Sequence, residues 1–252
     1  MTALGAGLAL LVGFVLGLLG GGGSVLTVPI LIYALNVPVK QAIATSLCVV
    51  GLVAFIGFLT HARQRTVSVK AAMVFGPFAL VAAFVSAFLA RHISTDVQLV
   101  LFGIVGLAGS RLMFRGTLKR TAEPAVDYEF KRDARTVTLL ALLGTGVGLL
   151  TGLIGVGGGF LIVPALVLVA KLPMRLAVGT SLLVMTMNAL SGFAGYAGTV
   201  PIDWHLVGWF TGFAALGSVI GTLTSKRVPQ RHLRQVFGVL LVGVSIYVLV
   251  RR

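Results

Sequence analysis

Shifted by 135 residues, Gly17 onto Gly152, this chain lies over itself without a gap. The stretch "GLLGGGGSVLTVP" (Gly17 to Pro29) falls on "GLIGVGGGFLIVP" (Gly152 to Pro164), and from Gly17 to Ala62 there are 19 identities in 46 positions. They include Gly20/Gly155, Gly22/Gly157, Gly23/Gly158, Pro29/Pro164, Pro38/Pro173, Thr45/Thr180, Ser46/Ser181 and Gly57/Gly192. Shared apolar composition rarely brings glycines, prolines and hydroxyl residues into register. Duplication is the better account, and internal repeats are a common way to build a transporter.

Each repeat is a series of apolar runs parted by charged or proline-containing breaks. The runs lie near 3–19, 24–36, 39–60, 69–90 and 96–114, then near 136–154, 159–170, 174–195, 204–225 and 231–250. Of 252 residues, 58% are hydrophobic and 10% charged, where an average soluble domain carries about 25% charged residues. The expected fold is all-α: a polytopic transmembrane bundle of two inverted repeats, each with a Gly-rich broken or re-entrant helix pair and three spanning helices. The first repeat covers 1–114 and the second 136–252. Residues 115–135, the one sustained polar stretch, read as a cytoplasmic linker.

The net charge of +14 is a topology signal and not a nucleic-acid footprint, because Lys and Arg gather at the ends of apolar runs with no basic stripe. With inverted repeats, 16 of the 20 basic residues fall on one side, the predicted inside, leaving Lys40, Arg91, Arg251 and Arg252 outside. Parallel repeats with both termini inside give 12 and 8. Inversion fits better, with both termini external. The first twenty residues hold no Lys or Arg, so they lack the positive region of a signal peptide and are read as part of the mature fold. The single Cys48 excludes an intrachain disulfide and is expected as a small buried hydrophobe.

Inversion requires a turn at each glycine run. Residues 24–36 span only about 18 Å as helix, too short for a hydrocarbon core of about 30 Å. Gly20, Gly22, Gly23 and Ser24, with Gly155, Gly157, Gly158 and Gly159, are therefore the tips where a longer helix meets a short one. Irregular backbone at that depth is tolerated only where protein buries it or where it lines a wet cavity. A glycine turn entering a helix presents bare N–H groups with the positive end of the helix dipole behind them, which favours an anion. Thr45 and Ser46, repeated as Thr180 and Ser181, are the second constellation. Asn188, whose counterpart is Val53, is a third candidate contact. Packing alone accounts better for Gly13, Gly17, Gly148 and Gly152, which have small-xxx-small spacing.

All six acids, Asp96, Glu123, Asp127, Glu129, Asp133 and Asp203, fall in loops or at segment ends, so a cation carrier is disfavoured. His61, His92, His205 and His232 also lie near segment ends, where a solvated interfacial role is expected. Tyr196, Trp204 and Trp209 are assigned to an aromatic belt. No metal-ligand spacing, cofactor motif or nucleophile–base pair emerges, so neither a metal nor a cofactor nor an enzymatic activity is expected.

The doubled motif, "GLLGGGGSVLTVPIL...ATSL" and "GLIGVGGGFLIVPAL...GTSL", resembles the sulfite exporter TauE/SafE family, also called the toluene sulfonate uptake permease family, over essentially the whole chain. The resemblance implies a bacterial inner-membrane transporter of small anions such as sulfite or organosulfonates, with export the expected direction. The second repeat departs from the first at Val156 for Gly21 and Gly159 for Ser24, so the two tips need not contribute equally. A carboxylate or other organic anion, or a non-transporting assembly role, remains an alternative. The implied partners are a small anionic substrate and the bilayer, with no nucleic acid and no assigned oligomeric state. A reporter fused at Arg252 is expected to read as external; cytoplasmic activity there would overturn the topology.

Overall fold

The computed structural model describes residues 3–115, 134–196, 198–224, 239 and 242–250. Most of the expected linker and the polar start of the last apolar run, including His232, lie outside them. Among the described residues the chain is helical without strands. The helices are α1 (Ala3–Leu19), α2 (Ser24–Pro29), α3 (Val39–Arg63), α4 (Val69–Ala90), α5 (Thr95–Arg115), α6 (Ala134–Ile154), α7 (Gly159–Leu168), α8 (Met174–Tyr196) and α9 (Trp204–Thr224). Residues 242–250 are helical as well. Helices α3, α4, α6, α8 and α9 each hold a stretch long and apolar enough to cross a membrane.

Local chemistry repeats with the 135-residue offset. The hydroxyl of Ser68 accepts from the N–H of Ala71 (3.4 Å) at the start of α4, and the Asp203 carboxylate accepts from the N–H of Leu206 (3.0 Å) at the start of α9. Both are N-caps that pair a helix-start donor. After α2, Ile30–Ala34 form a π turn that follows Pro29. The wide turn closes with Val37 N–H donating to Leu31 O (2.9 Å), and the second repeat does the same with Leu172 and Leu166 (3.1 Å). Asn36 and Lys171 take matching left-handed conformations (φ 53° at each) in these turns. Asn tolerates that region better than most residues, whereas Lys171 bears a steric cost there.

Glycines show how the helices run. A Cβ on Gly13 would strike Ala214 and one on Gly17 would strike Ser218, so α1 and α9 are parallel. The same holds for α6 on α4, where Gly144 meets Phe75, Gly148 meets Ala79 and Gly152 meets Ala83. The central helices α3 and α8 are antiparallel: Gly51 packs on Leu190, Gly57 on Leu182, and Gly192 on Leu47. Helix α1 thus packs along α9 and α6 along α4, while α3 and α8, which the offset relates, run in opposite directions. In lipid, where apolar contact with neighbours and with acyl chains is alike, such small-residue seams let backbones approach closely. Large apolar side chains of α4, among them Phe78, Val81, Phe84 and Phe88, face outward.

Two faces follow. Face A holds the start of α3 and face B its end. Exposed Arg63, Arg65, Lys70, Lys171 and Arg175 lie at face B, where the α3–α4 loop covers the start of α8: Ser68 N–H donates to Thr180 Oγ1 (2.9 Å). At face A, Lys40 Nζ donates to the carbonyl of Arg91 (2.8 Å), whose guanidinium stands 3.8 Å over the Phe88 ring.

Two sequence expectations change. Tyr196 is not in an aromatic belt: it is 1% exposed, and its hydroxyl accepts from Gln98 Nε2 (3.3 Å), because α5 covers the last turn of α8. His61, at the offset-related position, is likewise buried and not solvated, with Nδ1 2.9 Å from Thr66 Oγ1. Trp204 is exposed, as a belt residue would be, and Cys48 is a buried free thiol.

Gly148 and Gly146 offer a matched test on one helix. A methyl at Gly146 meets nothing within 4 Å, while one at Gly148 strikes the Ala79 carbonyl. Gly146→Ala should stabilise the detergent-solubilised protein by up to about 1 kcal/mol, and Gly148→Ala should destabilise it by about 1–3 kcal/mol. Thermal unfolding of the two variants checks this.

Candidate functional site

The turns between α1 and α2 and between α6 and α7 need glycine for conformation as well as space. The backbone is left-handed at Gly20 (φ 69°) and Gly21 (φ 141°), and again at Gly155 (77°), Gly157 (68°) and Gly158 (69°). An L side chain is strained there. The second tip makes its second left-handed step at Gly157 instead of at the residue after its first glycine, which is why Val156 can stand where the first repeat has Gly21.

Each tip folds back on its own incoming helix. A Cβ on Gly23 would meet Val12 and Leu16, and one on Gly158 would meet Val147 (2.6 Å) and Thr151 (2.5 Å). Each also docks on the central helix of the other repeat. Gly20 lies on Val178 and Gly155 on Ile43. The Ser181 hydroxyl reaches the Gly20 carbonyl (2.6 Å), and the Ser46 hydroxyl reaches that of Gly155 (2.8 Å). Ser181 Oγ also lies 2.7 Å from Val178 O within its own helix.

The two tips meet. A Cβ on Gly21 would lie 2.5 Å from the Gly159 Cα, and one on Gly159 would lie 2.5 Å from the Gly21 Cα and 2.5 Å from Met185 Sδ. Gly157 presses on Val50 and on Met185. Val50 and Met185 stand near the middle of α3 and α8, so the crossing point lies midway between the two faces. It is closed in this conformation: no methyl group fits between Gly21 and Gly159. A small apolar cleft beside the second tip, between Val25, Phe102, Leu150, Ile154, Val156 and Gly158, has about 10 Å³ of water-accessible space, roughly one water molecule's worth.

Residues 20–29 and 154–159 are all buried, yet their hydrogen bonds are incomplete. Gly20 N–H donates to Leu16 O (2.9 Å) and Ser24 N–H to Gly21 O (3.3 Å). The N–H groups of Gly21, Gly22 and Gly23 have no acceptor among the described residues, and those of Val156, Gly157 and Gly158 are in the same position. Buried orphan N–H groups are rare in native proteins. These N–H groups lie along the two tips, with Gly21 and Gly157 at the crossing itself, and make the region rich in donors.

The sequence-derived candidates divide. Gly20, Gly22, Gly23, Ser24, Ser46, Gly155, Gly157, Gly158, Gly159 and Ser181 come together around the crossing. The Ser24 hydroxyl is turned back to Gly21 O (2.7 Å). Thr180 points its oxygen at the α3–α4 loop and away from the tips. Thr45, its counterpart, is 0% exposed with a hydroxyl that has no partner. Asn188 is also 0% exposed, and both atoms of its amide are unpaired. Thr27, buried and unpaired in the same way, was missed from sequence; a lone hydroxyl one turn into the helix behind the glycines was the available signal.

The sulfite exporter TauE/SafE family matches residues 5–248. This chain belongs to that family. It is a membrane transporter family and not an enzyme family, so the protein is a multi-pass membrane transporter for a small molecule. Its relatives include a probable membrane transporter protein of Xylella fastidiosa, 34% identical over 248 residues, covering 96% of this chain and 92% of the relative. A probable membrane transporter protein of Methanocaldococcus jannaschii is 29% identical over 96% of this chain and 94% of its own length. The relative YdhB of Bacillus subtilis, with the same description, is 27% identical over 87% and 89%. No solved structure matches.

The serine bonds to the tip carbonyls give a symmetric prediction. Ser46→Ala and Ser181→Ala should each cost about 0.5–1.5 kcal/mol of stability, with similar values for the two because each removes the same cross-repeat bond. A large disparity in thermal unfolding between the variants would contradict the paired geometry.

Proposed function

We propose that the protein carries small anions, with sulfur oxyanions and organosulfonates as the substrate class, by alternating access around the crossing of the two glycine tips, and that its physiological direction is export. The observation that carries this reading is the run of buried tip residues, Gly21–Gly23 and Val156–Gly158, whose N–H groups have no acceptor among the described residues, on two tips that meet at Gly21 and Gly159. Neutral donors at fixed positions in a low-dielectric interior suit an anion, and they require no counter-charge from a side chain. Behind them stand two helix starts, Ser24–Ala34 and Gly159–Leu168, each contributing the partial positive charge of a helix N-terminus.

The tips arrive from opposite faces and belong to helices that run in opposite senses, as two inverted repeats would. Contact between them closes the path. Opening to either side needs one hairpin to withdraw, which breaks the hydroxyl bond from the opposite repeat and frees the amides for a solute. Face B, with Arg63, Arg65, Lys70, Lys171 and Arg175, is assigned to the cytoplasm by the bias of Lys and Arg towards that side. Both termini are then external, the linker is cytoplasmic, and a bacterial inner membrane is the proposed location. The site comprises the tip glycines with Ser24, Ser46, Ser181 and Asn188, while Thr45 and Thr180 stand one residue off that stripe.

Gly159→Ala places a methyl against the Gly21 backbone and Met185. It should reduce flux of labelled sulfite or methanesulfonate into reconstituted vesicles by at least about tenfold, equivalent to about 1.4 kcal/mol, while the protein stays in the membrane fraction. Unchanged flux would remove the crossing from the pathway, and preference for a carboxylate in the same competition assay would replace the substrate class.

A further inference from the structure

We propose that the site selects monoanions, and that an oxyanion whose second ionisation lies near neutral pH, such as sulfite, crosses with one proton still bound to it. This rests on the anion-carrier reading above and names the charge state that the carrier accepts.

Every donor along the two tips is neutral: backbone N–H groups of Gly21, Gly22, Gly23, Val156, Gly157 and Gly158, and the nearby hydroxyls. Among the described residues the basic side chains sit at helix ends and loops, Lys40 and Arg91 at face A and the others towards face B, and no carboxylate lies along the central helices. Stripping water from an ion costs in proportion to the square of its charge, so a dianion costs roughly four times as much as a monoanion. Attraction to fixed neutral dipoles grows only in direct proportion to charge. A cage of neutral donors that breaks even for a monoanion therefore loses on a dianion.

Asn188 supplies the second, independent observation. It is 0% exposed and neither atom of its amide has a partner. It lies two turns from Ser181, which bonds the first tip, so the two share one side of α8 within about 20°. It stands one turn from Met185, which touches Gly157 and Gly159. Its neighbours Ala189 and Leu190 pack on Gly51, next to the Val50 that also touches Gly157. Asn188 is thus held at the depth of the second tip.

An amide side chain both accepts and donates, whereas a backbone N–H only donates. Oδ1 can accept the hydrogen bond of a protonated oxyanion while Nδ2 donates to one of its bare oxygens. The counterpart in the first repeat is Val53, so the acceptor stands on one side only and fixes which way the O–H points. No proton is transferred to the protein. The substrate's O–H bond stays intact during the crossing and dissociates to water on the far side, so each sulfite moves with one proton although no membrane carboxylate takes part.

The test uses full-length protein in liposomes, with three probes and protein-free liposomes as background: methanesulfonate, a permanent monoanion; sulfate, a dianion; and sulfite. Methanesulfonate flux should stay flat with pH, sulfate flux should remain at background, and sulfite flux should fall about tenfold per pH unit above its second ionisation as the monoanion is depleted. A trapped pH dye should report acidification of the lumen with sulfite uptake and none with methanesulfonate. Asn188→Leu should lower the ratio of sulfite to methanesulfonate flux by about tenfold, as loss of a hydrogen bond to a charged ligand does. Sulfate flux equal to that of methanesulfonate, sulfite flux indifferent to pH, or an unaltered ratio in the variant would each overturn the proposal while leaving anion transport in place. Background flux for all three probes would instead overturn the transport reading, and this proposal with it.

Discussion

The reciprocal docking of each glycine tip on the other repeat's central helix is the contact on which the architecture depends. Ser46 reaches the carbonyl of Gly155, and Ser181 reaches that of Gly20. In the bilayer interior no water can satisfy those carbonyls, and an unpaired buried polar group is costly. A broken helix can therefore persist at that depth only if protein supplies the missing partner. Each repeat does so for the other, and neither hairpin has that support alone.

The small-residue seams follow from the same exchange. With α1 parallel to α9 and α6 parallel to α4, each hairpin is anchored along its length to the opposite repeat, through glycines whose Cβ would strike the facing backbone. That anchoring brings both tips to mid-depth and presses Gly21 onto Gly159. In the proposed alternating-access cycle a withdrawing tip gives up its cross-repeat hydroxyl bond, which sets the closed contact against exposure of the amides. A transporter needs such opposed states separated by a modest free-energy difference, and one hydrogen bond with one glycine contact is of that scale.

The satisfied and unsatisfied groups are unevenly distributed. The tip carbonyls of Gly20 and Gly155 are paired across the repeats, and the backbone N–H groups beside them are not. The imbalance leaves donors in excess. Asn188, one turn from the Met185 that touches Gly157 and Gly159, adds a buried amide with no partner. Packing alone would be served by an apolar side chain there, such as the counterpart Val53.

The sequence alone was sufficient for the membrane class, the all-helical fold and, among the described residues, the helix spans and the positions of the glycine turns, because hydropathy, proline and glycine act over short range and the 135-residue offset makes each feature appear twice. It also marked Ser46, Ser181 and the tip glycines as one group. Only the tertiary structure decided which partner each residue meets. Thr45 and Ser46 are adjacent in the chain but about 100° apart on a helix, so one counterpart bonds a tip and the other a loop. Tyr196 and His61 read as interfacial from their place at segment ends, yet α5 and the α3–α4 loop cover them. Contacts between repeats join residues more than a hundred positions apart, and no local pattern encodes which side of a helix will find a neighbour there.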